Sequence, residues 1–494
     1  MLYYVVSLLS SIYCDGPILQ AVQDARLFSD SKYFVDMPLK QDPVATLRAF
    51  YELGEQSKDA EILSSFVEAH FDVPGHELQE TYPEDWHTLY EVIRELQETY
   101  PEDWVPFPNS FTNIDDYQLR RWALHLHRIW RDLCRRVKDD VRLHQERYSL
   151  LYVPHPFIIP GGRFKEFYYW DSFWILKGLL FSEMYDTAKG TILNLIYMVE
   201  NHGFVPNGGR VYYLSRSQPP LLTPMVYEYF LATGDVDFVQ QVLPALEKEQ
   251  TFWNLNRARS FLDPETKEEL FQYYQYRAAM KFPRPESYRE DMEMVKGLNT
   301  DEEREQMWSN LASAAETGWD FSTRWFAQEG PSMHDFKSIR TLSIVPVDLN
   351  AFMCINMRIL ASFYEIFGDF KRKDEYYARY QKMKLAMKTF IGMRLMEFGR
   401  SQEVDFRGGG VGQTINLFGQ QVLPALEKEQ TFWNLNRARS FLDSETKEEL
   451  FQYYQYRAAM KPESYREDME RVKGLNTDEE RNKCGLIWLV VFSI

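Results

Sequence analysis

The sequence predicts an all-α protein, and three observations carry that reading. Apolar residues recur at helical spacing through most of the chain. Glycine and proline clusters divide those stretches into pairs. Neither a strand–helix–strand alternation nor a glycine-rich phosphate loop occurs. At 494 residues, 45% hydrophobic and 26% charged, the chain has ordinary globular composition and can bury a sizeable core. A net charge of −17 argues against nucleic acid or an anionic membrane surface as partner. Cys14, Cys134, Cys354 and Cys484 are far apart, without CxxC or a Cys/His cluster, so zinc and redox motifs are not expected.

Taken in order, residues 1–13 open an apolar run without a basic start. They read either as a short signal segment or as a buried strand or helix. Leu47–Leu63 carries helical spacing. The string ELQETYPEDW occurs at Glu77–Trp86 and again at Glu95–Trp104, a tandem duplication suited to a surface loop. Asp115 and Asp116 signal the start of a helix running to about Val137, with Leu119, Trp122, Leu126, Ile129, Trp130 and Leu133 as its apolar stripe. His125 and His127 would face different sides of it and read as packing or surface residues rather than ligands. Ser172–Asn201 reads as helix, stopped at His202-Gly203, and Pro206-Asn207-Gly208-Gly209 is a turn. Pro220–Thr233 and Asp235–Asn254 form a helix pair around Gly234, and Val347–Ile391 is further amphipathic helix.

The C-terminal part is anomalous. Gln240–Arg304 recurs almost verbatim at Gln420–Arg481, with Ser444 for Pro264, Arg471 for Met294, and nothing for Phe282-Pro283-Arg284. Two such copies do not make a solenoid. A recent duplication or a mis-assembled gene model explains them better. Residues 392–419 form an unmatched glycine-containing segment, and 482–494 an apolar tail, far short of the ~20 residues that span a bilayer.

The chemistry concentrates in Pro160–Asp171, PGGRFKEFYYWD. Aromatic faces beside charged forks suit a sugar: flat rings cover C–H faces while Arg and Asp bond the hydroxyls. Alone, the stretch could equally be a turn entering an aromatic-rich core helix. As a string it resembles the first signature of the trehalases, glycoside hydrolase family 37. Four further motifs follow in that family's order: PNGGRVYY with Asn207, RSQPP with Arg216, Ser217 and Gln218, RPES with Arg284, Pro285 and Glu286, and ETGWDFSTRW with Gly318 and Asp320. Alone, each reads as a turn, a helix start or nothing. The resemblance spans about Cys14 to Ile391. Phe173 and Thr317 depart conservatively from the usual Tyr and Ser.

This resemblance implies an (α/α)6 barrel, a catalytic domain over 14–391, trehalose as small-molecule substrate, no metal or organic cofactor, and a secreted or cell-surface location. It implies hydrolysis to two glucose molecules with inversion, Asp320 as general acid, and Arg163, Trp170, Asp171, Asn207, Arg216, Ser217, Gln218, Arg284, Pro285, Glu286 and Gly318 as substrate-binding residues. Trp319, Phe321 and Trp325 could desolvate Asp320 and raise its pKa, and Arg324 nearby could oppose this, so the sequence does not fix the sign. The family's second signature, its catalytic base and its glycine-rich loop find no match. Gly408–Gly412 resembles that loop only faintly, and neither Glu403 nor Asp405 has the context of a base. The duplicate cannot replace the first copy, having Lys461 before Pro462-Glu463 where a bidentate arginine belongs. The sequence therefore reads as a trehalase with an incomplete barrel. The competing expectations are a trehalose-binding remnant without its base and a helical scaffold built by duplication.

Overall fold

A computed structural model describes residues 2–80, 103–262, 269–278, 280–327, 335–397, 440–442 and 449–452. Two compact units divide the chain, Met1–Ala386 and Met387–Ile494. The all-α class is observed: three helix hairpins build the centre of the first unit. Tyr169–Phe181 is followed by Tyr185–His202, Leu222–Thr233 by Val236–Asn256, and Val347–Ile366 by Phe370–Glu397. The first members lie side by side in that order, and Asn356 Nδ2 donates to the carbonyl of Pro220 at 2.9 Å. Behind them the second members form another row. Tyr185–His202 packs on Val236–Asn256, whose Glu247 accepts from Arg372 and Tyr376 at 2.8 and 2.9 Å. Such paired rows are the double wall of an (α/α)6 barrel. The first-row helices all begin at the same end, and that end carries the motifs.

Helix boundaries follow local chemistry. The stretch expected as one helix over Ser172–Asn201 is two helices. Glu183 takes a positive φ of 60°, and its carboxylate accepts the backbone N–H groups of Asn109 and Ser110 at 3.1 and 2.8 Å. That external anchor overrides the helical pattern. Gly234, at φ 70°, closes the second hairpin; its N–H returns to the Phe230 carbonyl, and Asp235 caps the next helix. Val347–Ile391 is likewise broken, at Gly368, and Leu47–Leu63 at Gly54.

The helix begun by Asp116 ends at Leu133, short of Val137. Cys134–Val137 instead runs as a strand between Leu78–Glu80 and Phe157–Ile158, with Cys134 and Val137 buried at its two ends. Pairing with two neighbours wins over continued helix. This corrects the surface-loop reading of the tandem repeat at both ends. Glu77 is buried and Leu78 enters the sheet, while Trp104 stacks on His127 at 5.1 Å. Residues 81–102 lie outside the described ones. An antiparallel hairpin, Ala258–Leu262 with Glu269–Tyr274, also interrupts the helices. In the second unit, Ser440–Leu442 pairs with Glu449–Gln452 in the same register, Phe441 opposite Phe451 as Phe261 is opposite Phe271. Residues 398–439 and 453–494 lie outside the described ones.

Near the N-terminus a helix, Leu2–Tyr13, places Leu9, Ile12 and Tyr13 in a second apolar cluster. A buried ionic network ties this N-terminal region to the PGGRF loop. Lys32 bridges Asp36 and Glu166 at 2.5 and 2.7 Å, and Arg210 bridges Glu166 and Glu77 at 3.1 and 2.9 Å. All five side chains are almost wholly buried.

Candidate active site

Trp170 and Asp171 stand in the first turn of Tyr169–Phe181. The Trp170 N–H donates to Gln218 Oε1 at 2.7 Å, fixing the RSQ loop against that helix start. Tyr169 accepts from the Leu222 N–H through its hydroxyl, at 2.7 Å, so two first-row helices are pinned at this mouth. Asn207 Nδ2 donates to the carbonyls of Ser217 and Ala315, each at 3.2 Å. It therefore joins the RSQ loop to the helix Asp301–Glu316, directly ahead of Asp320.

Two buried arginines converge here. Arg216 Nη2 donates to Glu286 Oε1 at 2.7 Å, while Arg284 grips Asp291 with Nε and Nη2 at 2.9 and 2.6 Å. The Arg284 guanidinium also lies 5.0 Å from the Phe321 ring centre. Arg163, half exposed, bonds Asp30 at 3.0 Å and reaches the Glu286 carbonyl at 3.5 Å. Pro285 opens the short turn that presents Glu286. Gly318, at φ 74°, passes so close to Trp170 that a Cβ there would meet the indole at 3.0 Å. Only glycine satisfies both constraints.

Asp320 remains accessible to solvent, yet protein atoms gathered around its carboxyl raise its pKa by desolvation. The Arg284 guanidinium is the first charge to oppose this, followed by Arg216, while Glu286 adds to the rise. Arg324, the expected opponent, lies instead over the Trp319 ring at 4.5 Å. Burial raises Asp171 to about 6, and the Asp320 charge contributes in the same direction. Burial also works against ionised Glu286, but Arg216 and Arg284 outweigh it and hold that carboxyl below its ordinary value. A carboxyl biased toward its protonated form thus stands near two fixed cations.

Several buried polar atoms of the cluster have no protein partner among the described residues: Arg216 Nε and Nη1, Glu286 Oε2 and Trp170 Nε1. Buried donors and an acceptor left open in this way suit a polyhydroxylated ligand. Ser217 differs, since its hydroxyl is spent on the carbonyls of Val205 and Gln218, at 2.6 and 3.2 Å. No group of His, Cys, Asp and Glu capable of holding a metal ion exists among the described residues.

Sequence reasoning missed the residues behind the site. Asp291 holds Arg284, Asp348 Oδ2 accepts from Trp319 Nε1 at 2.9 Å, and Arg257 forks onto Glu316. Glu316 stood inside a quoted motif. Its partner Arg257 is 59 positions away and left no signal in spacing.

Comparison with known proteins follows this geometry. A family model described as trehalase matches residues 26–392. The trehalase of Apis mellifera is 41% identical over 385 residues, 77% of this chain and 58% of that protein. That of Homo sapiens is 42% identical over 385 residues, 77% and 62% respectively. That of Dictyostelium discoideum is 38% identical over 365 residues, 72% and 58%. The chain thus spans about three fifths of the length of these relatives. A solved structure, neutral trehalase Nth1 from Saccharomyces cerevisiae, overlaps 48% of this chain and 46% of its own at 22% identity and TM-score 0.37. On the family model and the curated relatives together, the chain belongs to the trehalase family.

Proposed function

We propose that this protein is a glycoside hydrolase that cleaves α,α-trehalose to two glucose molecules with inversion. One observation carries the reading: Asp320, open to solvent yet with its pKa raised by the protein atoms that desolvate its carboxyl, lies within electrostatic reach of Arg284 and Arg216. A general acid must hold its proton near neutral pH, and desolvation achieves that for a carboxyl. In the proposed reaction Asp320 protonates the bridging oxygen as that bond breaks. Arg216, Glu286 and Trp170 bind the sugar through their open polar atoms, with the Arg284 charge beside them, and Asn207, Gln218 and Gly318 hold the surrounding loops in register. Arg163, Asp171, Ser217 and Pro285 complete the proposed binding set. A second carboxylate, not assigned to a residue, activates the attacking water from the opposite face. Inverting enzymes keep the two carboxyls ~6.5–9.5 Å apart for this purpose.

The stereochemistry gives a direct test. Inversion at one of two α-linked centres releases one β- and one α-glucose, whereas retention releases two α. Proton NMR of the full chain with trehalose should show both anomers rising equally before mutarotation. Asp320→Asn should abolish this release with the fold intact, and near wild-type turnover in that variant would sink the assignment. Trehalose binding without glucose release from the wild-type chain would favour a sugar-binding remnant. We also propose a secreted or cell-surface location. No helix among the described residues is long and apolar enough to cross a membrane. Cell fractionation and surface labelling test that location, and a purely internal pool would refute it.

A further inference from the structure

Glu316 ends the helix that leads into Gly318, Trp319 and Asp320, and it is fully buried. Four N–H groups converge on its carboxylate. Oε1 accepts from the Ser217 N–H at 2.9 Å and from Arg257 Nη2 at 2.6 Å. Oε2 accepts from Arg257 Nε at 2.9 Å and from the Arg277 N–H at 2.9 Å. Ser217 stands between Arg216 and Gln218, so one carboxylate ties the sugar-binding loop to the stem of the acid-bearing loop. The planar guanidinium of Arg257 matches both oxygens at once and sets the carboxylate's rotation, which a point charge on a flexible stem would not. Neither residue touches the reacting atoms. The two loops they join carry Asp320 and the sugar-binding residues of the reading above.

We propose that Glu316, oriented by the Arg257 fork, is a positioning residue that fixes Asp320 and the Arg216–Gln218 loop relative to each other. Displacing either group by about 1 Å can cost on the order of 100-fold in rate. The coupling deepens the trehalose-hydrolase reading and rests on it. Another consequence is visible in the sequence. The duplicate carries Arg437 and Arg457 at the positions of Arg257 and Arg277 but ends at Arg481, ahead of any counterpart of Glu316.

The test compares the full chain with Arg257→Lys and Glu316→Gln. Lysine keeps the charge and loses the fork. Glutamine keeps the shape and puts an NH2 where two donors already converge. Thermal midpoints are measured first, then amide hydrogen exchange by peptide mass spectrometry, then initial rates on trehalose well below each midpoint. Exchange should accelerate at least ten-fold in peptides covering 216–218 and 317–322 and change little in the Tyr185–His202 helix, with kcat/KM falling ten-fold or more. Unchanged exchange in those two loops, or a uniform rise with undiminished rates, would overturn the proposal. Should Glu316→Gln fail to fold, Arg257→Lys decides alone. If the wild-type chain releases no glucose, the hydrolase reading fails by itself. The positioning role is then decided by the exchange pattern and by trehalose affinity, which Arg257→Lys must weaken.

Discussion

Glu286 is the residue at which charge and chemistry are most closely balanced. It accepts from Arg216, stays ionised because Arg216 and Arg284 outweigh its burial, and in turn raises the pKa of Asp320. Replacing it by glutamine keeps an oxygen for Arg216 and removes one negative charge. Asp320 should then lose its proton more readily, and the freed Arg216 charge acts in the same direction. Because the proposed general acid acts in its protonated form, the alkaline limb of kcat/KM against pH should move to lower pH. A pH–rate profile on trehalose reads this, and movement to higher pH would contradict the electrostatic account. Asp320 and its companions were legible in the sequence as candidates because each lies in a short contiguous motif. Asp291, Asp348 and Arg257 were not, because each acts through contacts closed only by tertiary folding. The source of the opposing charge was misread for the same reason: Arg324 is near Asp320 in sequence, whereas Arg284 is near it in space.

At the scale of the element, helix existence was legible and helix boundaries were less so. The 3.6-residue period shows which stretches can bury an apolar stripe, but a break such as Glu183 depends on the Asn109 and Ser110 N–H groups brought from elsewhere. The β-hairpin at Ala258–Tyr274 was hidden because a short apolar run does not distinguish strand from buried helix. Gly234 is the opposite case, since a left-handed residue between two helical patterns can be read directly. Its φ is 70° and a Cβ would meet nothing within 4 Å, so an alanine there costs backbone strain without a clash. Gly234→Ala should destabilise the protein by about 1 kcal/mol. Urea denaturation would show it as a lower midpoint with unchanged slope, and a stabilised variant would refute the role of that turn in closing the second hairpin.

For the whole molecule, the site depends on buried bonds that cross from one hairpin to the next. Tyr169 makes the tightest of these: its hydroxyl donates to Glu249 Oε1 at 2.5 Å and accepts from Leu222, joining the first hairpin to both helices of the second. Glu249 is buried, and desolvation pushes its pKa up to about 8, against which the Tyr169 bond works only in part. An unfolded glutamate titrates near about 4.3. Between these values the folded chain therefore binds one proton more than the unfolded chain. The stability this supplies is complete below about pH 4 and is lost as pH rises through about 8, at about 1.4 kcal/mol per pH unit. Glutamine in place of Glu249 retains an acceptor for Tyr169 and cannot ionise. The stability of Glu249→Gln relative to wild type should therefore increase steadily from pH 5 to pH 8 and level off above it. Denaturation at four or five pH values would reveal that slope. A constant difference would mean that Glu249 is not held protonated, and that another interaction carries the link between the hairpins.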